Sequence, residues 1–285
     1  MFYANRITSV TCFCIGMFFI AGCLTKEIES IKEMNNSKKS EQKSGSFRAQ
    51  DKTGRPVILE WLKTDMASLE YAVAMKSVLD IACSAYTKVE VEFLRAHPEV
   101  VGKEDFFKPF EALFKNGIAS VNWHLVEQKM QEILTSMFII DVSAYSDDIK
   151  KRLSTVEQFF ISVKDEQTGT ILGFVQFLIT PEYAEGDVKC IAFAVRPEVQ
   201  NRGVGKLLVS SICKILPDLK RIFLCTRITN STAQKAYYSW GFTKDINPEI
   251  EEHMYTFNVN HWIFLEYKID QITVLQKTAA TLIAR

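Results

Sequence analysis

The 285-residue chain has little glycine (12) and little proline (7), and it has no net charge, with 34 Lys and Arg against 34 Asp and Glu. The first scarcity excludes a collagen-like or proline-rich chain. The charge balance excludes a polycationic nucleic-acid binder, so no nucleic acid is expected as a partner. Seven cysteines are present, but none stands in a CxxC or at zinc-like spacing to a histidine. His97, His124, His253 and His261 lack HExxH or facial-triad spacing, so no metal is expected. GxSxG is also absent, which removes the common serine-hydrolase signature. What remains is ordinary globular chemistry, 47% apolar and 24% charged.

Residues 1–23 carry one basic residue, Arg6, and then an apolar run from Val10 to Ile20. The run is short for a membrane span and has the anatomy of an export signal. Its end, Ile20-Ala21-Gly22-Cys23, resembles the lipobox of bacterial lipoproteins. That resemblance implies lipidation at Cys23 and a membrane-anchored protein; an unused signal would leave the chain cytoplasmic. Residues 24–55 carry eight basic and five acidic residues and one aromatic, Phe47. Such a stretch cannot offset its chain entropy by burial and reads as a flexible spacer. Cys83, Cys190, Cys213 and Cys225 sit among apolar neighbours and read as buried thiols.

Residues 56–285 read as one folded domain. A strand is expected over Val57–Lys63, then a helix over Met66–Cys83 capped by Asp65, with Leu69, Val73, Val78 and Ala82 on its apolar face. Further helices are expected over Val89–Ala96, Phe106–Phe114 and Ile118–Ile139. The second half alternates: strands at Gln158–Lys164 and Ile171–Ile179 around the turn Asp165–Thr170, then a central strand Asp187–Val195. A helix over Gly203–Leu216, a strand Arg221–Arg227, a helix Ser231–Trp240 and strands near Phe242–Asp245 and His261–Ile269 complete it. This order implies a mixed α/β (α+β) sheet flanked by helices.

The most informative segment is Val195 to Lys206. A buried strand ends, a loop with Gly203 and Gly205 follows, and a helix begins. Glycine lets the backbone approach a ligand, and the unpaired N–H groups of a helix start favour an anion. Arg202 and Lys206 add charge. The loop is neither GxxxxGK[ST], because Gln200 and Leu207 fail it, nor GxGxxG, because Leu208 stands at the third glycine.

QNRGVG at 200–205 resembles the [RQ]xxGx[GA] signature of the GNAT superfamily of N-acetyltransferases. Downstream, Asn230, Ala233, Tyr237, Gly241 and Phe242 resemble that family's N-x-x-A-x-x-x-Y-x-x-x-G-F segment. The resemblance covers roughly 155–268 and implies a GNAT-like central mixed sheet with, here, an enlarged N-terminal helical region. It implies acetyl-CoA as co-substrate and an amine acceptor that attacks the thioester directly. Gln200, Asn201, Arg202, Gly203, Val204, Gly205 and Lys206 would hold the pyrophosphate. The backbone of Phe193, Ala194 and Val195 would pair with the pantetheine arm and polarise the thioester carbonyl. Asn230 would contact pantetheine or cap its helix. Tyr237, or Tyr238 in its stead, would protonate the leaving thiolate. At the two positions where the family usually carries its base, this chain has Lys189 and Cys225. Asp187 is the substitute taken here, with Glu185 and Glu182 as further carboxylates nearby. The alternative reading is a membrane-tethered, catalytically inactive binding module on the same fold.

Overall fold

The computed structural model describes residues 43–65, 68–139, 146–147, 153–154, 156–179, 183–245 and 259–268. The expected signal, Cys23, most of the 24–55 spacer, Glu182 and His253 lie outside the described residues. Among the described residues no helix is long and apolar enough to cross a membrane.

One eight-stranded sheet organises the chain: β1 (Ser44–Gln50), β2 (Pro56–Asp65), β3 (Glu157–Asp165), β4 (Ile171–Ile179), β5 (Asp187–Val195), β6 (Arg221–Arg227), β7 (Thr243–Lys244) and β8 (Trp262–Lys268). Their spatial order is β1-β2-β3-β4-β5-β6-β8-β7. Every neighbouring pair is antiparallel except β5 with β6, which is parallel. The helices are α1 (Leu69–Ser77), α2 (Leu79–Ala96), α3 (Glu111–Phe114), α4 (Trp123–Phe138), α5 (Val204–Ile215) and α6 (Ser231–Trp240).

The sheet separates two cores. On one face Leu207, Leu208 and Ile212 of α5 pack with Tyr237 of α6 onto Ile161, Val175, Val188 and Ile222. On the other, Met75 of α1, Phe93 and Leu94 of α2, and Met130 and Leu134 of α4 pack onto Phe160, Phe174, Ala192 and Ala194. The long run of buried residues in β4 and β5 follows from having helices on both sides.

Several expected boundaries shift for physical reasons. The single helix over Met66–Cys83 is two helices. Ser68, not Asp65, caps α1 by accepting the Tyr71 N–H at 3.1 Å. The chain breaks at Val78, whose φ of −116° and ψ of 8° end α1 and begin α2. The break rotates the faces. Tyr71 and Met75 point inward, while Leu69 and Val73, expected in the core, are exposed. Val78 and Ala82 are fully buried as expected. Helix α2 then runs on without interruption to Ala96.

Residues 44–50, placed by composition in the spacer, form the edge strand β1 instead. It pairs along its whole length with β2, from Ser44↔Leu62 to Gln50↔Pro56. Its alternating burial sets Phe47 and Ala49 against the α5 side of the sheet, while polar residues face water. The tight turn that follows, 51–55, is held by Asp51: its Oδ1 accepts from Thr53 N (2.8 Å), Thr53 Oγ1 (2.6 Å) and Arg55 N (3.1 Å).

Candidate active site

The site begins with a mismatch in the sheet. β5 and β6 pair in register only from Asp187↔Arg221 to Cys190↔Leu224, although the strands run on to Val195 and Arg227. The cause lies on the other edge of β5. Gln176↔Ala192 and Phe177↔Cys190 are successive partners, so Ile191 is an extra residue, a β-bulge. A bulge bends its strand and sharpens its twist, and beyond it Ala192–Val195 diverge from β6. The cavity that opens there is about 850 Å³, a size that suits an extended small molecule. It is walled by Phe193, Ala194 and Val195, by Thr226 and Arg227, and by α2 and α6.

One part of the wall is the loop into α5. Asn201 (φ 63°) and Gly203 (φ 85°) both take left-handed backbone conformations, and Gly203 is the residue that caps the helix. The first helical hydrogen bond is Leu207 N–H to Gly203 O at 3.0 Å. The amides before it, of Gly203 to Lys206, are those a helix start leaves without an intrahelical partner. A Cβ on Gly205 would lie 3.0 Å from Phe193 Cζ and from Trp240 Cη2, so glycine lets the loop sit against those rings. Gln200, Asn201, Gly203, Gly205 and Lys206 line the cavity.

Two expected loop contributors do not. Val204 is buried in the core under the sheet. Arg202 turns away, and both Nε (2.9 Å) and Nη2 of its guanidinium hold Asp51 Oδ2. Lys52 N–H donates to Arg202 O at 2.8 Å, so the β1–β2 turn is fastened to the loop. Lys52 itself lines the cavity and supplies, with Lys206, the positive charge expected from Arg202. Burial pushes the Asp51 carboxyl up, but bonds from Thr53, Arg202 and two backbone amides outweigh it and hold it below its ordinary value.

A second part of the wall comes from α2. Phe193 N–H, on the edge of β5 that faces the splay, donates to Tyr86 Oη at 3.3 Å. One turn further along α2, Glu90 accepts from Arg227 Nε (3.1 Å) and Nη2 (3.0 Å). This ion pair is buried, and the Arg227 guanidinium lies between the rings of Phe93 (4.1 Å) and Trp262 (4.2 Å). Burial drives the Glu90 carboxyl up, and the Arg227 charge offsets only part of this. Tyr86, Glu90 and Arg227 all line the cavity. Sequence spacing shows only that Tyr86 and Glu90 share a helix face; their meeting with β5 and β6 is a tertiary event.

Tyr237 projects from α6 into the cavity wall, buried, with its ring against Phe193, Trp240 and Phe242. Burial raises its hydroxyl well above the ordinary tyrosine value. Tyr238, the substitute, is exposed and does not line the cavity. Asn230 does line it, but its side chain is occupied as a cap. Its Oδ1 accepts from Ala233 N at 3.2 Å and its Nδ2 donates to Thr226 Oγ1 at 3.2 Å.

Asp187 does not belong to the site. It stands at the start of β5, before the splay, paired with Arg221 at 2.6–2.8 Å. Sharing a strand face with Lys189 does not bring it near Phe193, which six residues of extended chain place roughly 20 Å away. Glu185 is exposed on the loop before it and lies outside the cavity wall. Cys190 lines the cavity as a buried thiol, and burial pushes its pKa up.

None of the curated proteins matches the chain. Among solved structures, PaiA N-acetyltransferase from Thermoplasma acidophilum in complex with coenzyme A is similar over 73% of this chain and 99% of its own, with 11% identity and a TM-score of 0.39. A spermidine N-acetyltransferase chimera of Vibrio cholerae and hSSAT is similar over 50% of this chain and 86% of its own, with 18% identity and a TM-score of 0.36. The ribosomal-protein-S18-alanine N-acetyltransferase of Escherichia coli is similar over 44% of this chain and 79% of its own, with 18% identity and a TM-score of 0.29. The segment from α4 to Phe242, residues 127–242, which holds the splayed strands, the α5 loop and Tyr237, matches the acetyltransferase (GNAT) family.

Proposed function

We propose that the protein transfers an acetyl group from acetyl-CoA to an amine by direct attack of the amine on the thioester. The observation that carries this reading is the wedge between β5 and β6, which leads to the exposed amide end of α5. It offers an open strand edge for the pantetheine amides and a cationic, N–H-rich turn for the pyrophosphate.

In this reading the amides from Gly203 to Lys206, with Lys52 and Lys206, hold the phosphates, and the edge of Phe193–Val195 takes the pantetheine arm like an added strand. The thioester oxygen takes the Phe193 N–H in exchange for Tyr86 Oη and is polarised there. The acceptor amine attacks the carbonyl carbon, the C–S bond breaks, and the sulfur leaves as a thiolate. Tyr237 hands its proton to that thiolate; its raised pKa keeps it protonated until then. The amine proton goes to Glu90, directly or through water. Glu90 is one helical turn, about 5–6 Å of axial rise, from Tyr86, and it replaces Asp187 as the base. A buried carboxylate with a raised pKa suits this role, because it is a stronger base than a solvated one. Anchoring through Cys23 belongs to the same reading, and the mass of the native N-terminus tests it.

Calorimetry with acetyl-CoA, followed by thiol release with a panel of polyamines and peptide amines, tests the reaction. Saturable binding weakened by Gly205→Glu, together with turnover, is expected. Binding without turnover of any amine would favour the tethered binding module, and absence of acetyl-CoA binding would remove the transferase reading.

A further inference from the structure

Beside the acetyl-transfer cavity, and not resting on that reading, the fold gathers three metal-ligating side chains, two at the end of α2 and one from just before β8. His97 ends α2, Glu99 lies in the following 3-10 turn (Pro98–Val100), and His261 immediately precedes β8. One ligand atom from each lies within 4.8 Å of the other two. His97 Nδ1 is already 3.2 Å from Glu99 Oε1. Donor atoms around a tetrahedral zinc ion, at bonds of 2.0–2.1 Å, lie about 3.3 Å apart. The cluster is therefore close to the required spacing and needs only side-chain adjustment to reach it.

A second observation points the same way. Glu104 is buried, and its Oε1 lies 3.2 Å from His261 Nδ1. This is the carboxylate–histidine arrangement that sets the imidazole tautomer and presents Nε2 to a metal. Its other oxygen, Oε2, is buried and has no hydrogen-bond partner. Among the described residues no lysine or arginine forms an ion pair with Glu99 or Glu104. The neighbouring Glu90 is neutralised by Arg227. Two carboxylates, one of them buried, thus stand against two imidazoles, a donor set that suits a divalent cation.

We infer that His97, Glu99 and His261 form a zinc-type divalent metal site, with Glu104 orienting His261. The ligand set of two imidazoles and one carboxylate suits Zn2+ and leaves a coordination position for solvent beside the partly exposed Glu99. The ion would staple the end of α2 to the start of β8. Phe93 links that staple to the cavity: its ring packs on His97 (4.9 Å) and His261 (5.1 Å), and the Arg227 guanidinium lies on it.

The test is titration of the untagged, chelator-stripped full-length chain with Zn2+ alone by calorimetry, and with Co2+ by visible absorption. The expected result is one equivalent bound, with the intense bands of four-coordinate Co2+. His97→Ala and His261→Ala should abolish this binding. Glu99→Gln should weaken it at least tenfold, and Glu104→Gln about 10- to 100-fold. Glu99 is half-exposed, so the Glu99→Gln chain keeps its fold, and circular dichroism verifies this. Absence of stoichiometric binding, or binding unchanged in Glu99→Gln and His97→Ala, overturns the assignment. Acetyl-CoA binding by the same metal-free chain separates failure of this site from failure of the acetyl-transfer reading.

Discussion

Arg202 and Asp51 stand 151 positions apart, and the arginine grips the aspartate through two nitrogens of one guanidinium. The contact joins the edge hairpin of the sheet to the loop at the start of α5. Its consequence is that the loop's arginine braces the start of α5 from behind, while Lys52, carried by the same hairpin, faces the cavity.

Asp51→Asn keeps the shape and removes the charge. Loss of a charged hydrogen-bond pair of this kind costs about 1.5–3 kcal/mol. Urea denaturation should register that loss. Acetyl-CoA affinity should fall about tenfold because the turn is no longer braced, and removing residues 43–55 should have at least the same effect.

Gly205→Ala places a methyl group 3.0 Å from the rings of Phe193 and Trp240. Overpacking of this sort costs about 1–3 kcal/mol. The two rings belong to the cavity wall, so the dissociation constant for acetyl-CoA should rise as the melting temperature falls. Calorimetry and thermal denaturation on one sample compare the two effects.

Tyr237→Phe removes one hydroxyl from a buried ring whose packing is otherwise aromatic. If that hydroxyl protonates the departing sulfur, kcat should fall by about 100-fold or more while acetyl-CoA affinity stays unchanged. Tyr238→Phe, on the exposed side of α6, should leave both unchanged. Equal rates for wild type and Tyr237→Phe would end the general-acid role.

The Glu90–Arg227 pair is buried on both sides. Removing one partner strands the other charge, so Arg227→Ala and Glu90→Ala should each cost about 3–5 kcal/mol. The double variant should cost less than the sum of the two, which a double-mutant cycle in urea measures. Glu90→Gln, which also strands the Arg227 charge, should be assayed below its own melting temperature, where it should lower kcat and abolish the acid limb of the pH–rate profile.

Acid should loosen the hairpin end first. Asp165 is held at about 2 by Arg55, with help from the Thr168 amide and hydroxyl, against an ordinary value of 3.8. Asp51 is also depressed. Carboxylates with lowered folded-state pKa add stability that is complete above about pH 4 and is lost as pH falls toward 2. Melting temperature should therefore drop steeply across that window, and Asp165→Asn should flatten the drop while lowering stability at pH 7.

The local order of strands and helices from Glu157 to Trp240 follows from the sequence because each element carries its own signal. The doubly buried strand Asp187–Val195, the turn Asp165–Thr170 and the glycine pair at 203 and 205 all act within about ten residues. The same locality makes Tyr237 readable: it lies seven residues after a helix cap, on the inner face of an amphipathic helix. Composition misleads for residues 44–50, because a strand with one polar face at a sheet edge needs few apolar residues once β2 supplies its hydrogen bonds. Strand-face spacing misleads for Asp187, because periodicity states which face a side chain takes but not how far along the strand the cavity opens. That opening depends on the extra residue at Ile191, on two strands parting after Cys190 and Leu224, and on where α2 lies. Tyr86, Glu90, Arg227 and the His97–Glu99–His261 cluster are therefore decisions of tertiary structure. Apart from the local His97–Glu99 contact, their partners lie more than a hundred residues away in Tyr86–Phe193, Glu90–Arg227 and Glu104–His261, and only the packed sheet brings those distances down to hydrogen-bond length.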